Sequence, residues 1–416
     1  MKNIYLLLNR HSDILKNVFL LFLEKAIFIA IVFYCEALIS RVLGVQIYGK
    51  WIYAVNLVLL VSSLTLIVGS EIVVPAVSKN CKLQWHILTS AFLIRMFFSI
   101  LAFFAINVYN YYFLKDDATS QMIASLSLIL FFVEPFGVVI NYCQAKVDIG
   151  YVVLARLFAL IARALVITFA SWLSYNELIY SSRSIEAILL SALLVYLITK
   201  KNGVWIFSKK ITRLMFYRGL RLWGPLVLMY IYMRSDRFVV EYYLGFDDLA
   251  MYGVAIQIFE QLSLLIGIII QSIGPKFIFK KVALPKWRVI SFISLITICV
   301  QLISALLLPT FIVYVYGEDY NKAASMIVHM LPALIFYSID VVYMQYIYRK
   351  GSYELVLVKW LFMLLVSISV YYVWFSFLKQ TSIASVFNFN YFVMLLVTIQ
   401  IYRFHNKNKP NKIRLG

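Results

Sequence analysis

The sequence predicts an all-α polytopic membrane protein with twelve transmembrane helices in two six-helix lobes. Its composition is the first reason: 63% of the 416 residues are hydrophobic and only 14% are charged, whereas soluble domains carry about 45–50% and about 25%. The formal net charge is +19. The basic residues stand in short groups between apolar runs and do not form one solvated face, so we expect no nucleic acid partner.

The length of the apolar runs is the second reason. One crossing needs about 20 mostly apolar residues, and lipid requires each segment to satisfy its own backbone hydrogen bonds, which favours helices. Twelve runs meet this description: 18–40, 51–74, 86–108, 119–141, 150–172, 185–199, 223–243, 250–273, 288–310, 325–347, 355–375 and 385–402.

The distribution of basic residues is the third reason. Of the 38 lysines and arginines, 26 fall in the termini and the even-numbered loops, and six fall in the odd-numbered loops. The positive-inside rule therefore predicts that both termini are cytoplasmic. Residues 1–17 lack a small-residue cleavage site, which indicates an uncleaved cytoplasmic tail.

The longest basic connection divides the chain into two halves. The predicted parts are a six-helix lobe (1–199), a basic linker (200–221) that also contacts anionic lipid, the core of a second lobe (222–347), and helices 11 and 12 with a basic tail (348–416). A weak repeat at an offset of 201 residues matches Leu43-Gly44 with Leu244-Gly245 and Trp51 with Tyr252. Parallel repeats of this kind are typical of alternating-access transporters, which bind their substrate between the halves.

Ten ionisable residues lie inside the predicted spans, where each costs about 2.5–3.5 kcal/mol on insertion scales. The bases are Lys25, Arg95, Arg156, Arg163, Arg234 and Arg237, and the deep acids are Glu134, Asp236, Glu260 and Asp340. Spans 11 and 12 carry none, so we expect that pair to pack outside the functional lobes.

Helical spacing places Arg156 and Arg163 on one face of span 5, and Arg234 and Arg237 on one face of span 7. Buried structural ion pairs are one interpretation, since Asp236 adjoins Arg237. Six bases against four acids leave two positive charges, which favours a cavity for an anion. Arginine suits phosphate because its planar fork of donors stays charged, so the pattern indicates a phosphate-bearing substrate.

Enzymatic chemistry finds no support in the motifs. The sequence contains no P-loop, no Gly-x-Ser-x-Gly and no His-Glu-x-x-His, so ATP hydrolysis and ordinary hydrolase chemistry are excluded. The four cysteines are widely spaced and form no metal or disulfide pattern. We expect no cofactor and no bound metal.

Three segments resemble a known family. Arg41-Val-Leu-Gly44-Val-Gln-Ile-Tyr48-Gly49 resembles the "R-x-LG-x3-YG" signature of polysaccharide-repeat flippases. Gly224-Pro225, Arg234-Ser-Asp236-Arg237-Phe238 and Leu244-Gly245 to Tyr252 resemble the "P…D-R…LG-x6-Y" block of that family. Pro309 through Tyr316-Gly317, Tyr320 and Ala323 resembles its "P…(F/Y)G-x2-Y-x2-A" stretch.

These are the Wzx-type O-antigen and capsule-repeat flippases, of the superfamily that includes MATE antiporters and lipid II flippases. The resemblance implies a V-shaped, MATE-like fold in the bacterial inner membrane. It also implies that undecaprenyl-pyrophosphate-linked oligosaccharide is moved to the outer leaflet, with membrane lipids and the polymerase and chain-length regulator of that pathway as partners.

We expect substrate binding by a set of bases and ion coupling by two acids. The bases are Lys25, Arg95, Arg156, Arg163, Arg234 and Arg237, and the acids are Asp236 and Glu260. Two alternatives stay open. A MATE-type drug or cation antiporter would need a net acidic cavity, and a polysaccharide polymerase would need a large outer loop with acid/base residues.

Overall fold

The structure is a computed structural model that describes residues 2–201, 203–277, 285–348 and 353–408. Within these ranges the regular elements are all helical, with no β-strand, which confirms the predicted class. The α-helices are α1 (Lys2–Ser62), α2 (Ser70–Lys79), α3 (Gln84–Phe113), α4 (Asp117–Ser127), α5 (Ile129–Phe132), α6 (Gly137–Ala145), α7 (Gly150–Leu173), α8 (Asn176–Lys200), α9 (Lys209–Phe277), α10 (Lys286–Tyr316), α11 (Asn321–Met330), α12 (Ala333–Tyr348), α13 (Tyr353–Tyr372) and α14 (Ile383–Asn408). Short 3-10 helices (Ser63–Val68, Cys81–Leu83, Glu318–Tyr320) and one π-helical turn (Val373–Phe377) join them.

The helices match the predicted crossings in length and composition. Nine helices in the described part of the chain could cross a membrane, and a tenth crossing is the pair Glu318–Met330 and Ala333–Tyr348, bent by 47°. Two of the nine, Lys25–Lys79 and Lys209–Ile270, are 55 and 62 residues long and each contain two predicted spans. Because about 20 residues suffice for one crossing, these ten units accommodate the twelve predicted spans.

A glycine interrupts each of the two longest helices at matching positions. Gly44 in α1 has φ 74° and ψ 167°, and Gly245 in α9 has φ 85° and ψ −177°. This region of backbone space is essentially restricted to glycine. The two glycines are 201 residues apart, which is the offset of the sequence repeat.

The chain doubles back at both glycines. Trp51 Nε1 donates to Glu36 Oε2 at 3.2 Å across 15 positions, whereas a straight helix would separate residues so spaced by about 22 Å. Likewise, the Tyr252 hydroxyl donates to Asp236 Oδ2 across 16 positions. Both long helices are therefore hairpins, and each hairpin brings a carboxylate of its outgoing arm against an aromatic donor of its returning arm.

The two halves of the chain contact each other at both ends of these hairpins. Near the turns the backbones are very close, because a Cβ added to Gly49 would lie 2.0 Å from the carbonyl oxygen of Phe246. Near the opposite end, Trp223 Nε1 donates to the carbonyl of Leu64 at 3.1 Å. Buried apolar residues from both halves form one continuous core around α1 and α9.

The basic segment 200–221 is partly built into the fold. α9 begins at Lys209, so the end of this segment runs into span 7 without a break. Met215 is buried among first-half residues, and the Thr212 hydroxyl donates to Ser90 Oγ at 2.9 Å. The segment therefore attaches the start of the second half to the first half.

Two predicted spans have different boundaries in the structure. The fourth is divided among α4, α5 and α6 around Pro135, which has no backbone N–H to continue a helix. The sixth begins at Asn176 and not at 185, so Arg183 lies inside a membrane-length helix and the prediction of an outer loop there is wrong. Polar residues in the first turns of α8 lower the mean hydropathy of its most apolar stretch to 1.5. A search for apolar runs therefore places the start of this helix too late.

Candidate functional site

Glu36 is the centre of a buried charge cluster in the first half. Its Oε1 accepts hydrogen bonds from Arg163 Nη2 at 2.8 Å and from Arg183 Nη2 at 2.7 Å, while Oε2 accepts from Trp51. Arg163 also forms a longer ion pair of 3.5 Å with Glu186. The side chains of Glu36 and Arg163 are each 4% exposed. Charges so deeply buried require close partners, because their desolvation otherwise costs several kcal/mol.

Arg237 is the centre of a second cluster, in the second half. Its Nη1 donates to Asp236 Oδ1 at 2.8 Å, and its Nη2 forms a short ion pair with Glu260 across the α9 hairpin. The other oxygen of Asp236 accepts from the Tyr252 hydroxyl. The predicted Asp236–Arg237 ion pair is thus present, and Glu260 extends it.

A cavity of about 190 Å³, here called the inter-half cavity, lies between the halves and adjoins both clusters. Its charged and amide lining residues are Glu36, Asn56 and Arg183 from the first half and Arg234, Arg237, Gln257, Glu260 and Gln261 from the second. Arg234 Nη1 donates to Asn56 Oδ1 at 2.6 Å, which joins the halves. The structure therefore brings the predicted Arg234, Arg237 and Glu260 together at one cavity.

A second cavity, of about 230 Å³, lies within the second half and shares Arg234, Arg237 and Glu260 with the first. Its lining includes residues of α13 and α14, namely Ser367, Tyr371, Phe387, Asn390 and Tyr391. The expectation that spans 11 and 12 pack outside the functional lobes is therefore wrong.

The expectation that spans 11 and 12 lack ionisable residues is also wrong. Lys359, which counted as a loop residue in the charge balance, lies in α13 with its side chain 1% exposed. Its Nζ is 2.8 Å from both carboxylate oxygens of Asp340, and Thr398 donates to the same carboxylate. A hydropathy scan counts the charge of the lysine. It does not detect that Asp340, 19 positions away, neutralises this charge inside the protein.

Arg95 lies away from both cavities. It is 3% exposed, and its guanidinium donates to the backbone carbonyls of Val68 and Glu134. Val68 is the last residue of a 3-10 helix, so Arg95 satisfies a carbonyl that has no partner in a following turn. We therefore do not retain Arg95 among the substrate-binding residues.

Arg156 and Lys25 also differ from the predicted picture. Arg156 is exposed although Arg163, seven residues later on the same helix, is buried. Seven residues of helix rise about 10 Å, so the two arginines lie at different depths. Lys25 is exposed as well, with its Nζ 5.8 Å from the Phe28 ring centre.

Two residues that line the inter-half cavity were missed from the sequence. Glu36 lies near the end of the first predicted span, where counting only deep acids excluded it, and Arg183 was taken as part of an outer loop. The repeat could have indicated Glu36. At the offset of 201 residues, Glu36 aligns with Arg237, which was already a candidate site residue. With Glu36 included, the inter-half cavity is lined by three arginines and two carboxylates, and Asp236, which pairs with Arg237, adds a third carboxylate beside it.

No family model and no curated protein matches the chain. Solved structures do match it along nearly its whole length. One is an inward-facing conformation of a multidrug resistance MATE family transporter of the MOP superfamily, with a TM-score of 0.69, 14% identity, and coverage of 91% of this chain and 95% of that one. Another is the lipid II flippase MurJ in an inward closed conformation, with a TM-score of 0.67, 15% identity, and coverage of 91% and 87%.

A third match is a MOP superfamily transporter from Pyrococcus furiosus, described as having a binding pocket of reverse polarity that suggests a different function. Its TM-score is 0.62 at 13% identity, with coverage of 93% of this chain and 94% of that one. Identities this low show the fold alone. The chain therefore has the MATE-like helical fold that multidrug MATE transporters and the lipid II flippase MurJ share.

Proposed function

We propose that this protein is a flippase that moves an undecaprenyl-pyrophosphate-linked oligosaccharide from the cytoplasmic to the outer leaflet of a bacterial inner membrane. The two halves would alternate in exposing the inter-half cavity to each side. The observation that carries the proposal is Arg234, a guanidinium at this cavity whose Nη1 donates to the neutral amide of Asn56. Within the described ranges no carboxylate forms an ion pair with it.

Arg234 differs in this respect from the other arginines at the site. Arg163, Arg183 and Arg237 each have a carboxylate within 3 Å. The Arg234 guanidinium therefore has donors that no carboxylate contacts directly in the described part of the chain, and an anionic ligand could accept hydrogen bonds from them. Diphosphate offers several charged oxygens to the planar donors of arginine, which bind such groups in pairs.

The two contacts between the halves are consistent with transport across a membrane by alternating access. In this structure the halves meet near the hairpin turns, where Gly49 packs on Phe246, and again near Trp223 and Leu64. In the proposed cycle, one of these contacts opens to admit a large headgroup to the inter-half cavity. Opening them in alternation would admit the substrate from one side and release it on the other.

The MATE-type antiporter remains the second candidate, because the likeness to MATE transporters is as strong as the likeness to the flippase. Arg234, which lines the cavity without a direct carboxylate contact in the described residues, favours an anion over the cationic drug of that alternative. The polymerase is less well supported, since the matching structures described above are transporters and a flippase and the predicted outer loops are short.

The test is complementation of a strain that lacks the gene. We expect Arg234→Ala to abolish surface polysaccharide and to accumulate lipid-linked repeats, at unchanged protein level in the membrane. Arg234→Lys should restore export in part, because it keeps the charge but loses the bidentate geometry. Arg218→Ala, an exposed arginine on the same helix, is the matched control and should export normally.

Normal polysaccharide export by Arg234→Ala would contradict the proposal. If deletion of the gene leaves the polysaccharide intact but raises sensitivity to cationic drugs, the antiporter alternative is favoured instead.

A further inference from the structure

The two arginines bound to Glu36 are held differently. Arg163 is 4% exposed and has a second carboxylate, Glu186, at 3.5 Å. Arg183 is 25% exposed, and within the described residues Glu36 is its ion-pair partner. Glu36 binds both guanidiniums through the same oxygen, Oε1. Arg163 would therefore keep a counter-ion if Arg183 turned away, and Arg183 would need another anion.

Arg183 already faces the place where such an anion would be. It lines the inter-half cavity from the first half, and Arg234 lines it from the second half. An anion in the inter-half cavity would be near both guanidiniums, because they line it from opposite halves. The Nε groups of Arg163, Arg183 and Arg237 are buried and have no hydrogen-bond partner among the described residues.

We infer that Arg183 is an exchangeable substrate ligand: Glu36 binds its guanidinium in this conformation, and the diphosphate of the substrate takes the place of Glu36. Glu36 thus acts as an internal anion that competes with the substrate. The exchange leaves Arg163 neutralised by Glu36 and Glu186, and places Arg183 beside Arg234 on the diphosphate. This inference rests on the proposed function, because it specifies how that substrate's charged group is bound.

The test measures binding of inorganic pyrophosphate to the purified full chain by calorimetry. Glu36→Gln releases Arg183, so we expect it to bind pyrophosphate about tenfold more tightly, as one additional charge-assisted hydrogen bond predicts. Glu177→Gln is the matched control, because it removes an exposed carboxylate at the start of α8, outside the cluster, and its affinity should stay at the parent level. Arg183→Gln should weaken binding, and the Glu36→Gln/Arg183→Gln double variant should lose the gain.

Parent-level affinity in Glu36→Gln would overturn the inference, and so would a gain that persists in the double variant. If Glu36→Gln does not fold, Arg183→Gln decides alone: weaker binding supports the exchange, and unchanged binding overturns it. These outcomes are independent of polysaccharide export. Loss of the binding pattern with normal export contradicts only the exchange, whereas the binding pattern without polysaccharide dependence contradicts only the proposed function.

Discussion

At the residue scale, the charges inside the membrane-spanning helices are compensated in three ways. Arg95 binds backbone carbonyls at a helix end, Arg163 is paired with carboxylates, and Arg234 has the neutral amide of Asn56. The first two arrangements are complete without a ligand, and the third is not. The identity of the partner therefore separates Arg95, a purely structural charge, from Arg234, a candidate binding charge.

Lys359 is a structural charge by this criterion, and its removal should be costly. We expect Lys359→Met to lower the free energy of unfolding by about 3–5 kcal/mol, because Asp340 then remains buried without a counter-ion. Thermal denaturation of the purified protein in detergent measures the change. Lys322→Met is the control: this lysine pairs with Asp248 but is 62% exposed, and exposed pairs contribute at most about 1 kcal/mol.

Adding Asp340→Leu to Lys359→Met should recover much of the loss, since the unpaired charge is removed. A Lys359→Met protein that melts at the parent temperature would contradict a buried ion pair at this place.

Asp236 is our candidate for ion coupling, and its substitution separates coupling from structure. In reconstituted vesicles, Asp236→Asn should abolish the response of transport to an imposed proton gradient while substrate binding remains measurable, because asparagine keeps the shape but does not titrate. Asp247→Asn, at an exposed position just past the hairpin turn, is the control. If Asp236→Asn responds like the parent, Asp236 only holds Arg237 in place, and Glu260 becomes the candidate.

At the element scale, the two hairpins depend on a backbone conformation that glycine alone adopts easily. Gly44 and Gly245 have positive φ with extended ψ. A Cβ at either position would meet nothing within 4 Å. Glycine is therefore required at these positions for its backbone conformation and not because a side chain would clash with a neighbour. The turn sets which residues of the two arms face each other, and thereby the contacts of Glu36 with Trp51 and of Asp236 with its tyrosine.

We therefore expect Gly44→Ala and Gly245→Ala each to destabilise the protein by about 1–3 kcal/mol, measured by thermal denaturation. Gly150→Ala is the control, since a Cβ there also meets nothing within 4 Å and its φ is not positive. That change should be neutral or stabilise slightly by restricting the unfolded chain. Equal stability of all three variants would argue against strain at the turns.

At the scale of the whole molecule, the charge distribution predicts the orientation of both halves. We expect reporter fusions after Lys115 and Lys379 to read outside and a fusion after Lys281 to read inside. Lys281 lies outside the described residues, so the fusion there tests a location that is predicted from the sequence alone. An outside result at Lys281 would contradict two six-helix halves in the same orientation.

The sequence by itself determined the class of fold, the approximate spans and the internal repeat. These properties depend on the summed hydropathy of neighbouring residues. Whether a segment crosses the bilayer as a helix is decided by this sum and by the segment's length. It also indicated Arg234, Arg237 and Glu260 as site residues, because each is an ionisable residue inside a predicted span, where a charge is costly.

The tertiary structure alone decided which charges are neutralised. Arg163 and Arg183 reach Glu36 from 127 and 147 positions away, and Asn56 meets Arg234 across 178. The physical reason is that charges interact through space: a carboxylate about 3 Å away neutralises a buried guanidinium, and no local sequence pattern records that distance. For the same reason Lys359 was expected in a loop, although a neutral pair with Asp340 places it in the helix bundle.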